Sequence, residues 1–190
     1  MRPNFSIILL LAFFFTISTA HAYKPIEIDY RHTGLYGAAG PSVSYDIAPL
    51  KKPFFGGNFQ LGYRVNEHVS AYLQLDGLYG KGYGVTYLYF PALAKFKASL
   101  YKDFFIHAGV GYSAMNASAG NHFARGTTVA KKLYNGFVAE SGFAYEWWFQ
   151  DDYFLSPEIG LNINHIAGDN RFSPYLRLNV GFAITWFDRI

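Results

Sequence analysis

Residues 174–187 read PYLRLNVGFAITWF, and they alternate with a period of two. One face carries Leu176, Leu178, Val180, Phe182, Ile184 and Trp186; the other carries Tyr175, Arg177, Asn179, Gly181, Ala183 and Thr185. That is the period of a strand, whose successive side chains leave on opposite sides. In a soluble sheet the apolar face looks at a core and the polar face at water. Here the large apolar side chains form a full row, and the opposite row sets an arginine among small residues. The pattern predicts the inverted arrangement of a membrane-spanning β-barrel, apolar outward and polar inward.

The same alternation recurs upstream and predicts seven more strands, over residues 33–45, 55–65, 69–79, 85–99, 104–115, 136–148 and 153–164. In the second, Phe59, Leu61, Tyr63 and Val65 face out and Asn58, Gln60, Gly62 and Arg64 face in. In the fourth, Phe90, Ala92, Ala94 and Phe96 oppose Lys95 and Lys97. The expected fold is therefore all-β, an eight-stranded antiparallel up-and-down transmembrane barrel. Short turns at 66–68, 101–103 and 149–152 are expected to alternate with longer loops. These are a two-proline loop holding Lys51 and Lys52, a Gly-rich loop at 81–84, and connections over 116–135 and 165–173. That alternation is expected to set the orientation, because bacterial barrels put short turns in the periplasm and long loops outside. Trp147, Trp148 and Trp186, with Tyr101 and Tyr153, fall at the turn end, where an interfacial aromatic girdle is expected.

The N-terminus agrees. Arg2, the apolar run Ile7–Phe15 and the small-x-small triplet Ala20-His21-Ala22 predict a secretory signal peptide over 1–22. Thr16, Ser18 and Thr19 break the run before the roughly 20 apolar residues that a membrane helix needs. The barrel domain is then 23–190, or 190 − 22 = 168 residues. Aromatics make up 20% of the chain and cysteine is absent, so a disulfide scaffold is excluded. A net charge of +3 is too small to point to nucleic acid.

Nine titratable side chains share the inward parity: Arg64, Asp76, Lys95, Lys97, His107, Glu140, Glu146, Glu158 and Arg177. An eight-stranded barrel is just wide enough for side chains to fill it, and buried charges are costly unless paired. A fixed salt-bridge plug is the expected arrangement, with a narrow gated pore as the alternative. Inward glycines at 62, 109, 111, 142, 160 and 181 leave room for long side chains or for water. The connection 116–135 carries His122, Arg125, Lys131 and Lys132 and no acid. Arg125, Lys131 and Lys132 are the candidate binding residues for phosphates of lipopolysaccharide or for an acidic host or matrix polymer. The six histidines are scattered, so no metal site is expected, and no nucleotide loop or other cofactor motif is present.

Asn179, Gly181, Ile184 and Trp186 resemble the C-terminal assembly signal of bacterial outer-membrane proteins, although the chain runs on for four residues past Trp186. Architecture and signal together resemble the small outer-membrane barrels typified by the OmpA membrane domain and the OmpX/Ail group. The resemblance implies export to the bacterial outer membrane, with its lipids, lipopolysaccharide, assembly machinery and periplasmic chaperones as partners. It also implies a structural or adhesive role through the surface loops. Two related groups of small barrels modify lipid A. The deacylases use a His-x-Ser pair, and the local triplet His165-Ile166-Ala167 lacks the serine; the acyltransferases need an apolar interior. The expectation is therefore a protein that is not an enzyme. Pro41, Pro91, Pro157 and Pro174 lie in or beside strands, where each removes a ladder hydrogen bond.

Overall fold

The computed structural model describes residues 33–47, 50–82, 84–119, 130–149, 152–166 and 168–184, with residue 130 described by its backbone alone. The strand segments are β1 (Gly34–Asp46), β2 (Lys52–Asn66), β3 (Val69–Gly82), β4 (Val85–Tyr101), β5 (Phe104–Ala119), β6 (Ala130–Tyr145), β7 (Trp147–Trp148), β8 (Tyr153–Ile166) and β9 (Asp169–Ile184). β7 continues β6 past Glu146 along the same neighbour, β8, so the segments make eight wall strands. Each pairs antiparallel with the next, and β9 returns to β1, which closes the wall and leaves no sheet edge.

The registers define the barrel's geometry. Stepping between Cα partners from Phe137 passes through Tyr112, Ala92, Leu75, Phe59, Ala39, Val180 and Leu155, and arrives at Trp147. One circuit thus advances 147 − 137 = 10 residues. Ten residues of about 3.3 Å over eight spacings of about 4.8 Å tilt the strands by about 41°, within the usual range for closed barrels. Every residue on that circuit is apolar and turned outward, and Phe137 is 74% exposed. Inside, the largest fully buried side chains are headed by Arg64 and Arg177. An apolar belt this continuous is untenable against water and is what a hydrocarbon layer requires.

The expected strands are all present, but those at the loop end run longer. β4 has 17 residues, which at that tilt span roughly 42 Å, against an apolar band of about 25 Å. The ladder continues past the apolar band because backbone N–H and C=O groups still pair best with each other; polarity alone does not end a strand. All four expected loops are corrected as a result. In the two-proline loop, β1 runs to Asp46 and β2 already starts at Lys52, so Lys52 and Pro53 lie in the wall. In the connection 116–135, β5 extends to Ala119 and β6 starts at Ala130. The loop 165–173 is a hairpin in which His165 pairs Asn170 and Ile166 pairs Asp169. At 81–84, Lys81 and Gly82 are still in β3. Gly84 (φ +75°) and Gly168 (φ +88°) supply the left-handed conformation that lets these two turns be tight. Two of the four connections at that end are thus as short as the opposite turns, so loop length alone does not set the orientation.

Candidate functional site: a charged interior beneath a basic rim

Inward parity brings the predicted charges together. The Arg177 guanidinium donates to both oxygens of Glu140 at 2.8 Å each, and to Asp76 Oδ2 at 2.8 Å. Lys95 donates to Glu140 Oε1, and to Gln74 Oε1 at 3.0 Å. Nearer the turn end, Glu146 accepts from Arg64 at 2.5 Å and from Lys97 at 3.0 Å. Glu158 joins the two groups. Its carboxylate lies 3.7 Å from Lys97 Nζ and 3.8 Å from both Lys95 Nζ and Arg177 Nη1, and it accepts from Gln60 at 3.2 Å. His107 lies against the network, with Nε2 3.2 Å from the Tyr175 hydroxyl and Nδ1 3.9 Å from Glu140. Four cations thus meet four carboxylates in one connected cluster. That is the condition under which buried charge is tolerated, since every desolvated ion finds several partners.

Two apolar layers flank the cluster. At the turn end, Phe154 stacks on Tyr36 and packs at a tilt against Trp148, and Arg64 lies 5.0 Å from the Trp148 ring and 5.3 Å from Phe105. Trp148 therefore faces the interior instead of the girdle, whereas Trp147 is exposed outside. At the loop end Phe54, Leu78, Tyr89, Met115 and Ile166 form a second buried layer. Two of the inward glycines make room for side chains. A Cβ on Gly109 would meet Lys95 Cγ at 2.5 Å, and one on Gly160 would meet the Tyr175 hydroxyl at 2.4 Å.

Sequence reasoning missed one charged pair. Asp46 and Arg171 are both buried, 3.6 Å apart, just under the loop-end mouth. Both fall where the alternation predicts loops, past the strand expected over 33–45 and within 165–173. Their parity gave the signal, because Asp46 extends the inward series Ser42, Ser44, and Arg171 extends Tyr175, Ser173 backwards. With this pair, the buried carboxylates and the buried lysines and arginines among the described residues number five each, with His107 beside them.

The candidate binding residues separate. Arg125 lies outside the described residues. Lys131 and Lys132 are exposed but belong to β6, opposite Ser118 and Ala117, and are not in a loop. Being consecutive in a strand, they face opposite sides. Lys131 continues the outward series of Leu133 and Phe137. Lys132 places its ammonium 4.9 Å from the ring of Tyr134, which packs on the apolar layer under the mouth. Among the described residues, the two rims differ in charge. The loop end carries Lys51, Lys52, Lys81, Lys131 and Lys132 against Asp169, a net 5 − 1 = +4. The turn end carries Lys102 against Glu67, Asp103 and Asp152, a net 1 − 3 = −2.

Of the assembly-signal residues, Ile184 points outward, and Asn179 is buried and accepts from Asn58 at 2.8 Å. Gly181 leaves the space that the Phe154 ring fills, since a Cβ there would lie 2.2 Å from Cζ. Trp186 and the signal peptide 1–22 lie outside the described residues. The prolines act unevenly. The β1–β9 ladder skips Gly40 and Pro41, and the β3–β4 ladder skips Asp76 and Gly77 near Pro91, whereas Pro157 and Pro174 stay in register. At the first gap the Asn58 side chain donates to Gly40 O at 3.1 Å from inside the barrel.

Among solved structures, the chain is similar to three small outer-membrane barrels. The N-terminal β-barrel domain of Pseudomonas aeruginosa OprF matches with a TM-score of 0.55 and 14% identity, over 79% of this chain and 98% of that one. Ail, the attachment invasion locus protein of Yersinia pestis, matches with a TM-score of 0.56 and 11% identity, over 79% and 96%. Neisserial surface protein A matches with a TM-score of 0.54 and 18% identity, over 80% and 97%. No protein-family model matches, and no curated protein matches. At these identities the likeness establishes the fold, an eight-stranded outer-membrane-type barrel, and carries over no residue's role.

Proposed function

We propose that the chain is a bacterial outer-membrane barrel whose interior is a fixed plug and whose loop-end rim binds anionic ligands. The observation that carries this reading is the charge split between the two ends of the barrel, +4 against −2 among the described residues. A barrel with a neutral, paired interior offers an approaching ligand only the fields of its ends, and a basic rim attracts polyanions. Ail, with the same fold, was crystallised in complex with the heparin analogue sucrose octasulfate. In this chain the ligand is an acidic polysaccharide or protein on a host or matrix surface, met by Lys51 and Lys132 with Arg125. The protein reaches its membrane through signal-peptide export, periplasmic chaperones and the insertion machinery, which reads Asn179, Gly181, Ile184 and Trp186. The role is adhesion or structure, and the chain is not an enzyme.

The test measures binding of the refolded barrel to immobilised heparin across a salt series, for wild type and for Lys51→Ser/Arg125→Ser/Lys132→Ser. Wild type should bind and release as salt rises, because exposed charges are screened over roughly 8 Å at physiological ionic strength; the variant should elute at distinctly lower salt. Equal elution of the two overturns the rim reading. Mass analysis of lipid A from cells with and without the protein tests the enzyme alternative, which a gained or lost acyl chain would establish.

A further inference from the structure

The strand registers place four outward polar side chains in one row at the loop end. Lys81 on β3 pairs Thr86 on β4, Thr86 pairs Ser118 on β5, and Ser118 pairs Lys131 on β6. All four have the outward parity of their strands; the two lysines are exposed, and the two hydroxyl residues between them are partly so. The next outward row toward the other end is Tyr79, Leu88, Asn116 and Leu133, joined by the same pairings. Because the strands tilt by about 41°, the polar row climbs about 9 Å along the barrel axis from Lys81 to Lys131, and it crosses the upper edge of the apolar belt through the depth that lipid headgroups occupy. No acid opposes it, since Asp169, the exposed acid at this end among the described residues, takes the inward parity of β9.

We propose that this row binds the headgroup of a phosphorylated glycolipid of the lipid A type from the surrounding leaflet. The two lysines would each take a phosphate, and Thr86 and Ser118 would hydrogen-bond the sugar between them. Three strand spacings of about 4.8 Å separate the lysine backbones by about 14 Å. A headgroup with phosphates at opposite ends of a disaccharide suits that separation, whereas a single-phosphate phospholipid engages only one lysine. Tyr79, Leu88 and Leu133 below the row are where the acyl chains lie. The assignment rests on the outer-membrane reading and gives Lys131 to the wall, apart from the rim that Lys51 and Lys132 serve.

The experiment reconstitutes the full barrel in phosphatidylcholine nanodiscs doped with bisphosphorylated lipid A, dephosphorylated lipid A or phosphatidylglycerol, and reads retained lipid by native mass spectrometry. Wild type should retain the bisphosphorylated lipid preferentially. Lys81→Gln/Lys131→Gln should retain it about thirtyfold less, since each juxtamembrane cation is worth about fivefold in binding an anionic surface, while Lys102→Ser, at the opposite end of the barrel, retains it as wild type does. Equal retention by the Lys81/Lys131 variant overturns the proposal, as does equal retention of the dephosphorylated lipid or of phosphatidylglycerol by wild type. Folding is checked by heat-modifiable gel mobility; should the double variant fail to fold, the two single substitutions are read in its place. Cell fractionation of the wild type tests the outer-membrane reading separately. Recovery in the soluble periplasm sinks that reading, whereas the nanodisc result bears on the row alone.

Discussion

Replacing Arg177 with Met removes one cation from a buried cluster that balances four against four. Its guanidinium makes three hydrogen bonds at 2.8 Å, two to Glu140 and one to Asp76, and is fully enclosed. Without it Glu140 keeps Lys95, but Asp76 keeps only the amide of Gln74, at 3.0 Å. A carboxylate stranded in this way is the case in which breaking a buried pair costs about 3–5 kcal/mol. The same logic makes Asp76→Asn partly compensating in the Arg177→Met background, because it removes the stranded charge; a coupling between the two of about 1–3 kcal/mol is expected. The assay is urea unfolding in phospholipid vesicles, followed by tryptophan fluorescence and by heat-modifiable gel mobility. A loss below about 1 kcal/mol for Arg177→Met would refute the pairing, as would strictly additive effects in the double variant, since either result means the interior is hydrated enough to stabilise single charges.

Two further outcomes test the wall and the plug. Leu75, on the apolar circuit, is exposed on the outer face of the wall; Leu75→Arg should cost about 2–4 kcal/mol if its site lies near the bilayer midplane, and a change near zero would mean that this face is wet. In planar bilayers the purified wild type should carry little or no steady current if the paired network and the two apolar layers that cross the interior act as the proposed plug. Stable openings across preparations would replace the plug with a pore.

Side-chain direction was legible in the sequence because it is a local property of a strand. Successive residues face opposite sides whatever the rest of the chain does, so Arg64, Lys95, Glu140 and Arg177 could be placed inside and Leu75, Phe137 and Val180 outside before any fold was known. Strand ends were less legible. Polar stretches such as 116–119 and 169–173 read as loops, yet the backbone ladder carries on through them, and β1 likewise runs on to Asp46; that hid Arg171 and Asp46. Partners were not legible at all. Asp76 and Arg177 are 101 residues apart, and Lys81 and Lys131 stand in one row only through three successive registers. Those registers depend on turn geometry and on the ten-residue stagger that closes eight tilted strands into a ring. Period-two alternation carries no information about that offset, because a shift of two residues leaves every side chain on the same face. The sequence by itself determined which residues face inward; the closed barrel decided which of them meet.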